Sequence, residues 1–143
     1  MTRRFLDTSA LVWMHDRSDA RKHAAARALL AGDDDVVIST NVLAELFVAL
    51  TKKRGPRPPL ASVPDAVEHV QIAAEDLEVV PVQREDVLRA LGYRARHQIS
   101  WWDALNWSSA VAAGCEEYVG EDRASRPEVD GVRFVNPFGS QKT

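Results

Sequence analysis

Short apolar runs alternate along this chain with segments whose apolar residues recur at helical spacing, and that alternation narrows the possible folds most. Arg3-Arg4-Phe5-Leu6-Asp7 is a brief apolar run behind two charges, as a buried first strand would be. Val36-Val37-Ile38 is β-branched and continuous, which favours a strand buried on both faces. Leu77-Glu78-Val79-Val80-Pro81-Val82 reads as a third strand with its proline at the end or edge, and Tyr118-Val119 and Val132-Arg133-Phe134-Val135 as short final ones. Between them, Asp19 can cap a helix that Gly32 and Asp33-Asp34-Asp35 stop. From Thr40 or Asn41 a second helix carries Val42, Leu43, Leu46, Phe47 and Leu50. Further helices are expected over 64–74, 85–97 and 101–113, the last closed by Gly114. The pattern predicts an α/β fold with a central, mainly parallel sheet of four to five strands covered by helices.

At 143 residues the chain reads as one domain, 1–143, with 136–143 as a C-terminal tail. Pro56-Arg57-Pro58-Pro59 marks an exposed loop too short to separate two domains. Its 18 Lys and Arg against 21 Asp and Glu give a net charge of −3, so binding to nucleic acid must rest on a local basic patch. A single cysteine, Cys115, excludes an internal disulfide and a Cys-based zinc site, and a cytoplasmic protein is expected. The opening Met1-Thr-Arg-Arg-Phe-Leu lacks the apolar stretch of a secretion signal, because Asp7 interrupts it, and no segment is apolar enough to span a membrane.

In parallel sheets, ligands bind beyond the carboxyl ends of the strands. Asp7 follows Phe5-Leu6, with Thr8 and Ser9 behind it, and Glu121-Asp122 follows Tyr118-Val119-Gly120. Two further acids lie inside apolar helical surfaces: Glu45 in Asn41-Val42-Leu43-Ala44-Glu45-Leu46-Phe47, and Asp103 in Ser100-Trp101-Trp102-Asp103-Ala104-Leu105. Two carboxylates about 5 Å apart repel by roughly 3 kcal/mol at an effective dielectric near 20, so such a cluster needs a cation or protons. A hard ion with oxygen ligands, Mg2+ or Mn2+, suits it.

Each acid also has a plainer reading. Asp7 could form a strand-end turn, with Ser9 capping the next helix. Ser100-x-x-Asp103 could be a capping box, Glu45 could face solvent, and Glu121-Asp122 could be a polar turn. His15, His23, His69 and His97 never take metal-ligand spacing, and no glycine-rich phosphate loop is present. Trp101, Trp102 and Trp107 are expected as packing residues rather than a base-stacking platform. Lys52, Lys53 and Arg54 with Arg57 form one basic group, and Arg123 with Arg126 another beside Glu121-Asp122. Either group fits a solvated face, or a phosphodiester backbone drawn to the acids.

The order of these motifs resembles PIN-domain proteins, and most closely the VapC-type toxins of bacterial toxin–antitoxin modules. Asp7-Thr8-Ser9 and Asn-Val-Leu-Ala-Glu45-Leu resemble their start; Trp102-Asp103-Ala104-Leu105, Gly120-Glu121-Asp122 and Val135-Asn136-Pro137-Phe138 look like their C-terminal half. The resemblance spans 5–138 and implies a three-layer α/β/α sandwich and a Mg2+- or Mn2+-dependent endoribonuclease. It implies Asp7, Glu45, Asp103 and Asp122 as the catalytic acids, with Glu121 beside them at the metal and Ser9 in support. Lys52, Lys53, Arg54, Arg123 and Arg126 would steer the RNA. It further implies a cognate antitoxin and a homodimer. Two other readings remain: a catalytically silent RNA- or protein-binding module on the same fold, and a Mg2+-dependent phosphatase of haloacid-dehalogenase type. The latter wants a second aspartate where this chain has Ser9.

Overall fold

The computed structural model describes residues 1–32, 34–121 and 127–139. Within them β1 (Arg3–Leu6), β2 (Asp35–Ser39), β3 (Glu78–Val80), β4 (Glu117–Val119), β5 (Glu128–Val129) and β6 (Val132–Val135) form one sheet in the order β3-β2-β1-β4-β6-β5. Every pairing is parallel except β5 with β6. The sheet thus has one strand more than expected. Asp130 and Gly131 take positive φ, 48° and 82°, and fold β5 back on β6 in a two-residue turn. An Asp-Gly pair between apolar residues is the usual signal for such a hairpin, and it stands in Val129-Asp130-Gly131-Val132.

Among the described residues six helices connect the strands: α1 (Thr8–Trp13), α2 (Ala20–Ala31), α3 (Thr40–Thr51), α4 (Val63–Asp76), α5 (Arg84–His97) and α6 (Trp101–Ala112). Asp19 caps α2 as expected, accepting from the Arg21 and Lys22 amides at 3.1 Å, and Ser39 caps α3 through the Val42 amide at 3.2 Å. The chain moves one way from β1 to β2 to β3, then returns across the sheet to β4. Right-handed crossovers therefore put α1 to α4 on one face and α5 and α6 on the other. Packing agrees, since α1 lies on α2 and α3, α3 on α4, and α5 on α6. The result is the α/β/α sandwich the resemblance implies.

Val37, Ile38, Phe5, Leu6, Tyr118 and Val119 are fully or almost fully buried between the helical layers. Tyr118 meets Trp107 of α6 edge-on, with ring centroids 5.0 Å apart. Burying each of these side chains contributes roughly 1.5–3 kcal/mol, so the central strands are the most firmly held part of the molecule. Because all but β5 run parallel, their carboxyl ends share one side. The direction of winding reverses between β1 and β4, and there the crevice opens.

Candidate active site

At this reversal Leu6 stands beside Val119, and the Asp7 amide donates to the Val119 carbonyl at 2.8 Å. Asp7 is the N-cap of α1, a short helix that the sequence reading did not assign, and its Oδ1 accepts from the Thr8 amide at 2.7 Å. Ser9 does not cap that helix. Its hydroxyl donates to Asp7 Oδ2 at 3.0 Å and accepts from the Glu121 amide at 3.0 Å, so it ties the end of β1 to the end of β4. Gly120 lets the two ends approach this closely. A Cβ there would sit 3.1 Å from both Cβ and Oδ2 of Asp7.

Glu45 arrives from α3 and is half-buried; its Oε1 accepts from Asn41 Nδ2 at 2.8 Å. Loss of water pushes its carboxyl above the ordinary range, opposed by hydrogen bonds from Asn41 and Thr8. Asp103 comes from the first turn of α6. Ser100 accepts from its amide at 3.1 Å, so the serine half of the capping box forms, while the Asp103 carboxylate accepts from the Tyr118 hydroxyl at 2.8 Å. Asn106, one turn further along α6, donates to both Asp7 Oδ1 (3.1 Å) and the Tyr118 oxygen (3.3 Å). Asp7 and Asp103 are thus joined by a buried relay of two neutral side chains. Burial first, and then the charges of Asp7 and Asp103, hold the Tyr118 phenol well above its usual range and keep it a donor.

Asp7, Glu45 and Asp103, which are far apart in sequence, line one pocket of about 400 Å³ with Thr8, Ser9, Ser100, Trp102 and Asn106. Thr8, Ser9 and Glu45 also line an adjoining cleft of about 500 Å³, whose walls include Trp13, Leu60, Lys52 and Arg54. Lys53 is exposed beside them. Glu121 faces that cleft rather than the acid pocket. Trp13 Nε1 donates to its Oε1 at 2.8 Å, and Lys22 Nζ lies 2.6 Å from its Oε2, so it already has a cation. Asp122, Arg123 and Arg126 lie outside the described residues.

Tyr118 and Asn106 were not foreseen. Asn106 stands in Ala104-Leu105-Asn106-Trp107, a polar residue inside an apolar helical surface, which is the same signal that singled out Asp103. Tyr118 reads simply as a core strand residue, and only the fold shows where its hydroxyl goes.

The donors of the acid pocket are all oxygens, two of them pre-oriented and the third short of water. That chemistry fits a hard divalent ion. Among the described residues, no three or more His, Cys, Asp or Glu side chains are arranged to hold a metal by themselves. An ion held by Asp7, Glu45 and Asp103 would have to keep several of its waters, as Mg2+ commonly does.

Solved structures share this architecture. VapC20 of Mycobacterium tuberculosis, described as a sarcin-ricin loop cleaving toxin, is 24% identical with a TM-score of 0.67, covering 83% of this chain and 89% of its own. VapBC2 of Rickettsia felis, solved on a promoter DNA fragment, is 17% identical with a TM-score of 0.69, covering 94% and 98%. FitAcB of Neisseria gonorrhoeae is 18% identical with a TM-score of 0.64, covering 94% and 98%. At these identities the likeness is one of fold. No curated protein matches the chain in sequence. The PIN domain profile, however, matches residues 4–123, from β1 with its terminal aspartate through the acids of α3 and α6 and on past β4, and so the chain belongs to the PIN domain family.

Proposed function

We propose that this protein is a Mg2+- or Mn2+-dependent endoribonuclease, the toxin of a type II toxin–antitoxin module. The observation that carries the proposal is the single pocket onto which β1, α3 and α6 bring Asp7, Glu45 and Asp103. Asp7 and Asp103 would hold the ion, each oriented by neighbouring donors, and Glu45 would complete the cluster or orient the attacking water. Bound there, the ion supplies Lewis acidity to the phosphate and neutralises the charge that develops on it. Glu121, paired with Lys22, stands on the wall of the adjoining cleft. Lys52 and Arg54 on the adjoining cleft supply the basic patch that a net-negative protein needs to draw an RNA backbone past its acids. Ser9 stands where a phosphatase of haloacid-dehalogenase type would need a second acid, and its hydroxyl is engaged by Asp7 and Glu121.

Similarity of fold to a toxin–antitoxin complex from Klebsiella pneumoniae and to DNA-bound VapBC from Salmonella typhimurium supports a cognate antitoxin as partner. A homodimer and a cytoplasmic location belong to the same reading. Among the described residues, no helix is long and apolar enough to cross a membrane.

The test is cleavage of structured RNA by the purified protein with Mg2+ or Mn2+, with EDTA, and with Asp103→Asn. Cleavage that needs the ion and is lost in the folded variant is expected. Asp103→Asn cutting like wild type, or a wild type that cuts nothing under any metal, discards the assignment.

A further inference from the structure

We infer that Trp102 is a stacking platform for a nucleobase adjoining the scissile phosphate, and so a determinant of how the RNA is seated; this rests on the ribonuclease reading above. The chain has four tryptophans. Trp107 is fully buried, Trp101 packs against the core, and Trp13 is half-buried with its indole N–H bonded to Glu121. Trp102 alone among them is largely exposed, at 53%, and it lines the acid pocket one residue before Asp103. Leaving that much indole in water forfeits hydrophobic stabilisation that a core position would supply. The expectation that the tryptophans of α6 serve packing therefore holds for Trp101 and Trp107 and does not account for Trp102.

The ligand class follows from what surrounds the ring. An indole cannot neutralise a phosphate, but it offers a flat face to a base, and such stacking tolerates any sequence. The acid pocket has Trp102 on its wall, and the contiguous cleft carries Lys52 and Arg54. One strand can therefore lay its backbone along the cations and a base on the indole, with a phosphate over the carboxylates between them. Sequence-selective RNA recognition commonly uses unstacked bases on aromatic side chains in this way. A basic, apolar protein segment over the same ring would pair with the carboxylates but be repelled by Lys52 and Arg54, whereas a phosphate backbone is drawn to those two cations.

The experiment measures binding of a labelled 2′-O-methyl oligoadenylate, with Ca2+ in place of Mg2+, by fluorescence anisotropy. An abasic strand of equal length is the control. Trp102→Ala should fold with unchanged Tm, weaken oligoadenylate binding roughly 5- to 100-fold, and leave abasic-strand binding as in wild type. Trp102→Phe should restore most of the affinity, and in cleavage the loss should fall on KM rather than kcat. Equal binding by wild type and Trp102→Ala overturns the inference while leaving the nuclease assignment intact. Loss of capture of a basic, apolar peptide with oligonucleotide binding unchanged gives the surface to a protein partner and overturns it too. If wild type binds no oligonucleotide and cuts no RNA, the ribonuclease reading falls, and this inference with it.

Discussion

The Tyr118 hydroxyl donates to Asp103 Oδ1 at 2.8 Å from a fully buried position in β4, so a strand of the core holds a carboxylate carried by a helix. The same oxygen accepts from Asn106, which also donates to Asp7. Removing the hydroxyl leaves both acids in place but loosens their relative orientation. Tyr118→Phe should therefore fold, and should lower kcat about 10- to 100-fold, the usual cost of losing an outer hydrogen bond at a metal site. Steady-state cleavage with circular dichroism as folding control checks it, and unchanged kcat removes the relay from the account.

Glu45 makes a prediction about stability rather than rate. Burial raises its carboxyl pKa on folding, so its stabilising contribution is present below the unfolded pKa and lost as pH rises through the folded one. At neutral and higher pH the ionised group works against the fold. Glu45→Gln should raise Tm by roughly 1–3 °C near pH 8, a modest gain because the group is only half-buried, and the gain should vanish near pH 4. Thermal unfolding across that range reads it directly.

Gly120 tests how closely the ends of β1 and β4 must approach. A methyl group there meets Asp7 Cβ and Oδ2 at 3.1 Å, so Gly120→Ala must displace the aspartate by a few tenths of an ångström. Misplacement on that scale costs rate more than stability. Cleavage should drop at least tenfold while Tm falls by no more than a few degrees.

Glu121 and Asp103 are both acids, but their surroundings differ. Glu121 is engaged by Lys22 and Trp13, whereas Asp103 faces the pocket held by a neutral phenol. Glu121→Gln should keep cleavage within about tenfold of wild type, against a loss of 10³-fold or more for Asp103→Asn. Parallel rate measurements distinguish them.

The sheet was legible in sequence because runs such as Val36-Val37-Ile38 are β-branched, too short for a helix and set off by polar residues such as Asp33-Asp34-Asp35. The convergence of Asp7, Glu45 and Asp103 was legible for a complementary reason, as acids among Leu, Phe and Trp demand an explanation. What escaped depends on partners far along the chain. Nothing near Tyr118 says that its hydroxyl meets Asp103, and nothing near Glu121 says that Lys22 neutralises it. The β5 hairpin was missed differently: its Asp-Gly signal was present, but a two-residue strand is too short to show periodicity.

If Asp7, Glu45 and Asp103 serve one ion, the most direct measurement is Mn2+ binding by electron paramagnetic resonance on wild type and on Asp7→Asn, Glu45→Gln and Asp103→Asn. Wild type should show one binding event, and each substitution should weaken it. Binding that any one of the three variants retains at wild-type affinity would contradict it.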